Sequence, residues 1–112
     1  MKPKATNCPA EYTLSLIDGR WKIPLIFHLL HGAKRFSELA RALSGVTQKM
    51  LTQQLREMER DGLVERKIFP QVPPRVEYSL TPLGTSLKPV VDSMCRWGVA
   101  HGATPTAREA QV

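Results

Sequence analysis

FSELARALSGVTQKMLTQQLREMERDGLV, Phe36 to Val64, is the stretch on which the fold turns. Its second half is helical by pattern. On a wheel of about 100° per residue, Leu51, Leu55 and Met58 fall within about 60° of one another. Lys49, Thr52, Gln53, Arg56 and Arg60 cluster on the opposite side, with Glu57 and Glu59 on the flanks. The exposed face is therefore basic and rich in amides. Thr47 stands where a cap belongs and Asp61-Gly62 where the chain must turn, which predicts a helix running to about Arg60. The first half reads as a shorter helix. Ser37 is a good N-cap, Phe36 can staple onto the following turn, and Leu39, Ala40 and Leu43 make the inward stripe. Ser44-Gly45-Val46 is a tight turn between the two.

Two amphipathic helices joined by a short Gly-containing turn make a helix-turn-helix. In that motif the second helix enters the DNA major groove, with its N-terminal part against base edges. Gln can bond adenine in two places, and Lys or Arg can bond guanine O6 and N7. Thr47, Gln48, Lys49, Thr52, Gln53 and Arg56 have that chemistry in that part of the helix, and Arg35 and Ser37 at the start of the preceding helix join the expected contact set. Alone, such a face is equally compatible with plain solvation.

The flanking segments favour DNA. Downstream, LVERKIF and RVEYSL are rich in β-branched and aromatic residues, and PQVPP between them is too proline-rich for regular structure. They predict two strands joined by a stiff loop, a wing, with Val76, Tyr78 and Leu80 on one face of the second strand. Arg66, Lys67 and Arg75 flank the tip, within reach of phosphate or a minor groove. Upstream, Glu11 to Asp18 predicts a short helix carrying Tyr12, Leu14, Leu16 and Ile17, broken by Gly19. Trp21 to Leu30 (WKIPLIFHLL) predicts a buried central helix with Pro24 in its first turn and a Gly end at HGAK.

The chain of 112 residues fits one domain, and its net charge of +6 suits a polyanion partner. The partition expected is a basic arm at 1–7, one winged helix-turn-helix domain at 8–102, mainly α with a small β-hairpin, and a disordered tail at 103–112. No apolar run approaches the roughly 18 residues of a membrane span, and MKPKATNCPAEY lacks the apolar core of a secretory signal, so a cytoplasmic home is expected.

A set of motifs in order resembles the HxlR-type winged helix-turn-helix regulators, relatives of the MarR group. They are Cys8-Pro9, Gly19 with Trp21-Lys22, Lys34-Arg35-Phe36-Ser37-Glu38-Leu39, Gln48-Lys49-Met50-Leu51, Asp61-Gly62-Leu63-Val64, and Val72-Pro73-Pro74-Arg75-Val76-Glu77-Tyr78 with Leu80-Thr81. The resemblance covers about Cys8 to Gly98. It implies a homodimeric transcription factor of bacteria or archaea, associated with the nucleoid, on a two-fold operator. Members act as repressors or activators, and repression is the expectation. Several use the cysteine at the Cys8 position to sense electrophiles or oxidants. Asp18-Gly19-Arg20 departs from the usual paired glycine before the Trp, and Pro24 takes a position often held by Leu or Thr.

The last helix, opened by Thr81 as cap and Pro82 at its first position, bears on the dimer independently. Leu83, Leu87, Val90, Met94 and Trp97 recur at steps of four, three, four and three, an a/d seam over two heptads. Two destinations are open to it: a second copy of the chain, or the first two helices of the same subunit. Pro89 inside this helix predicts a bend over residues 85–88.

Cys8 sits at or just before a helix start, where the helix dipole favours a thiolate, with Lys2 and Lys4 near in sequence. A redox or electrophile switch and an inert structural thiol both fit. Cys95 lies beside the seam, and the two cysteines form no disulfide framework. His28 and His31 are spaced i, i+3 but lack an acidic or thiol cluster, so no metal and no cofactor is expected. No phosphate-binding Gly loop, Ser elbow or carboxylate pair points to an enzyme. The alternative function is a winged-helix protein–protein module, against which the basic, amide-rich face of the second helix argues.

Overall fold

The computed structural model describes residues 7–103. The expected arm, apart from its last residue, and the expected tail beyond residue 103 lie outside the described residues. Helix α1 (Pro9–Ile17) begins with Pro at its first position, where the missing N–H is no loss. Gly19 turns the chain with φ +136°, and α2 (Lys22–Leu29) follows. Pro24 falls in its first turn, as its chemistry requires. The helix runs through the middle of the molecule, with Leu25 and Ile26 wholly buried.

A two-residue strand β1 (Lys34–Arg35), absent from the sequence reading, then leads into α3 (Phe36–Ala42). This strand moves the cap. Arg35 is extended (φ −81°, ψ 159°) and holds the N-cap position, and its backbone N–H donates to Glu38 Oε1 at 2.7 Å. Ser37 is thus one turn-position inside the helix and caps nothing. Phe36, at the first helical position, packs on the core instead of acting as a staple before the cap. Gly45 makes the turn to α4 (Gln48–Arg60), where Thr47 Oγ1 accepts from Met50 N–H at 3.0 Å, the cap expected of it.

Leu51, Leu55 and Met58 of α4 face inward, at 2% exposure or less, and join Leu16, Ile17, Trp21, Leu39, Leu43, Leu63 and Val64 in one core. Strands β2 (Val64–Phe69) and β3 (Arg75–Leu80) pair antiparallel, Val64 opposite Leu80 through Phe69 opposite Arg75, and β1 adds to the other edge of β3. The sheet order is β1-β3-β2. The fold is the mainly helical winged helix-turn-helix that the pattern predicts.

The predicted last helix is two helices. Helix α5 (Pro82–Thr85) is capped by Thr81, whose hydroxyl accepts from Gly84 N–H at 3.0 Å. Helix α6 (Lys88–Ala100) starts afresh with Pro89 in its first turn. Proline is favoured there and forbidden one turn further in, so the chain breaks where a bend was expected. The break also divides the predicted seam. Leu87 is buried in the core of its own subunit beside Val91, and Val90 packs against the same core. Leu83, Met94 and Trp97 stay exposed, Trp97 at 66%.

Candidate nucleic-acid interface

The face of α4 opposite its apolar stripe forms a shallow open trough of about 800 Å³, lined by Gln48, Lys49, Thr52, Gln53, Arg56, Glu57 and Arg60. Gln48, Lys49, Gln53 and Arg56 are exposed, and Thr52 is half-buried between them and the core. Helical period alone assembled this set, because one burial stripe leaves one complementary face. Thr47 is exposed at the entrance, with its oxygen engaged in capping.

The wing cations divide. Side chains alternate across a strand, so Arg66 and Lys67 point to opposite faces. Arg66 faces α4, where its Nε lies 3.6 Å from Glu59 Oε2. Lys67 stands opposite Glu77, as Arg35 does from the other edge. Phe69 organises that face: the Arg75 guanidinium lies 4.3 Å from its ring centroid and the Lys67 ammonium 5.1 Å. Arg75 is further held by Glu77 at 3.4 Å. The sequence-nominated residues thus fall into two groups, the α4 trough with Arg66 bridged to Glu59 on the flank of that helix, and the outer wing face with Arg35, Lys67 and Arg75. Ser37 is exposed on α3, outside both groups. Tyr78, paired with Arg66 on β3, is half-buried, and burial pushes its phenol above the ordinary value.

Two buried or half-buried polar residues, Lys22 and Gln54, were not nominated as site residues. Lys22 is 4% exposed, yet it carries a charge, and its Nζ donates to Glu57 Oε1 at 2.7 Å. That bond holds the Glu57 carboxyl below its usual range. Gln54, on the same helix, reaches under Gly19, where a Cβ would come within 2.8 Å of Gln54 Oε1. No local pattern reports such pairings, since they depend on how α2 crosses α4.

Cys8 is exposed at the N-cap position of α1, with its carbonyl accepting from Tyr12 N–H at 3.1 Å. Cys95 is half-buried on α6, packed against the core, and neither cysteine is in a disulfide. His31 donates from Nδ1 to the Phe27 carbonyl at 3.0 Å, and the described residues hold no group of three or more His, Cys, Asp or Glu able to share a metal ion. No helix among the described residues is long and apolar enough to cross a membrane.

Residues 16–105 match the HxlR-like helix-turn-helix family. The HTH-type transcriptional regulator YtcD of Bacillus subtilis (strain 168) is 50% identical over 101 residues, 90% of this chain and 80% of the relative. Among solved structures, the redox regulator HypR in its reduced form is 50% identical with a TM-score of 0.80, covering 84% of this chain and 93% of that one. The reduced form of the transcriptional regulator YodB from B. subtilis is 40% identical with a TM-score of 0.72, over 83% and 92% of the two chains. Pattern, fold and kinship agree: this chain belongs to the HxlR-like helix-turn-helix family, whose members are transcriptional regulators and not enzymes.

Proposed function

We propose that the chain binds double-stranded DNA sequence-specifically as a homodimer on a two-fold operator and represses by occupying it. The observation that carries this reading is the α4 trough, an exposed helix face with five hydrogen-bonding or cationic side chains within its first nine residues (Gln48, Lys49, Thr52, Gln53, Arg56). Lys67 and Arg75, preset around Phe69, are suited to phosphate. Exposed Leu83, Met94 and Trp97 are what remains of the seam for a second copy. A mobility-shift titration tests the reading. With six to ten phosphate contacts, affinity falls roughly 10³–10⁵-fold between 50 and 200 mM salt. Failure to retain duplex DNA at low salt contradicts it and favours a protein–protein module.

We further propose that the regulator responds to oxidants or electrophiles through Cys8. Two observations support this. The thiol is exposed at the start of α1, and HypR, whose oxidized form is 49% identical to this chain, is a redox regulator. Oxidation of the thiolate by a peroxide, or its alkylation by a quinone, then releases the operator. Cys8→Ser abolishes that release; release that survives the substitution contradicts the switch.

A further inference from the structure

Glu57 is the one acid among the residues lining the α4 trough. An unneutralised carboxylate there would repel phosphate. Beneath it lies Lys22, and a lysine is almost never fully buried unless paired. The Lys22 ammonium donates to Glu57 Oε1 at 2.7 Å, and Glu57 Oε2 accepts from Gln53 Nε2 at 3.4 Å. Gln53 is exposed on the trough. A chain of three side chains therefore runs from a buried cation on α2 to an amide that faces the groove.

The chain has one direction. Lysine only donates and an ionised carboxylate only accepts, so the amide nitrogen of Gln53 must face Glu57. Its oxygen and its second N–H are left to face outward. We infer that Lys22, which reaches no DNA itself, is a specificity-determining positioning residue that acts through Glu57 to fix the amide orientation of Gln53 against a base edge. The inference rests on the DNA-reading proposal above. The lowered pKa of Glu57 keeps the middle member ionised, chiefly through the Lys22 bond.

The test compares the full-length wild type with Lys22→Met, Gln53→Ala, the double variant and Glu57→Gln. The preferred site is first selected from random duplex DNA with the wild type. Dissociation constants are then measured for that site and for each of its single-base variants. Gln53→Ala relaxes one position of each half-site. Lys22→Met relaxes that same position, by about fivefold or more, the low end of one base contact, and adds nothing in the Gln53→Ala background. A loss spread evenly over all positions, or repeated undiminished in that background, overturns the inference and leaves Lys22 a purely structural residue. If Lys22→Met does not fold by circular dichroism, Glu57→Gln decides. Its oxygen stays with Lys22, its amide nitrogen turns to Gln53, and the Gln53 amide must flip, changing the preferred base at that position. An unchanged preference overturns the inference. A wild type with a defined site and variants that keep its preferences sink the relay alone. A wild type that selects no sequence sinks the DNA reading and the relay together.

Discussion

Charge placement at single residues sets how this molecule answers to acid. Glu57 has a folded-state pKa below its ordinary value, chiefly because Lys22 donates to it. A depressed carboxyl pKa contributes stability above the unfolded value, near 4.5, that is lost as pH falls through the folded value. Glu38 acts in the same sense, because it accepts the Arg35 N–H. The urea midpoint therefore falls between pH 6 and pH 3, and Glu57→Gln flattens part of that fall. An equally steep fall in the variant contradicts the assignment. On the trough, Gln48→Ala or Lys49→Ala costs about 1–3 kcal/mol and relaxes one operator position. Arg75→Ala weakens binding to all sequences alike. Both outcomes are read by titrating the selected site and its single-base variants. The exposed face of α4 was legible in the sequence because helical period separates it from Leu51, Leu55 and Met58. The opposed directions of Arg66 and Lys67 follow from strand alternation and were equally available. Lys22 was not, for its partner lies 35 positions along the chain, on another helix.

Elements began and ended where local chemistry allowed, except where a neighbour intervened. Thr47 caps α4 as its sequence position predicts, and Thr47→Ala costs about 1 kcal/mol of stability, read as a shift in urea midpoint. Ser37 looked as good a cap as Thr47. It lost that place to Arg35 because pairing of Lys34-Arg35 with Tyr78 and Glu77 keeps the backbone extended one residue further back. A two-residue strand has no periodicity to announce it. Pro89 was correctly located as a disturbance, and the chain resolved it by ending one helix and starting another. Gly84 shows a third kind of constraint. A Cβ there would collide with the Leu63 carbonyl oxygen, because α5 is drawn onto the start of β2 by Thr81, whose N–H donates to Leu63 O at 3.0 Å. Gly84→Ala forces α5 off that turn and destabilises the fold by about 1–3 kcal/mol in denaturant titration. Wild-type stability in this variant contradicts the close approach.

On the scale of the whole molecule, α1, α2, α3, α4, α6 and the start of β2 share one core, and α4 presents its trough from it. Burial of Leu87 and Val91 commits one side of α6 to its own subunit. The proposed dimer is thereby left the other side, with Met94 at 45% and Trp97 at 66% exposure. Met94→Glu with Trp97→Glu converts the dimer to monomer in sedimentation velocity and weakens operator binding, while either subunit keeps its fold by circular dichroism. A hydroxyl-radical footprint on the selected operator tests the central claim most directly. Two α4 helices of one dimer predict two protected patches centred one helical turn apart, about 10–10.5 base pairs, symmetric about the operator dyad. A single patch, or protection with no dyad, contradicts it.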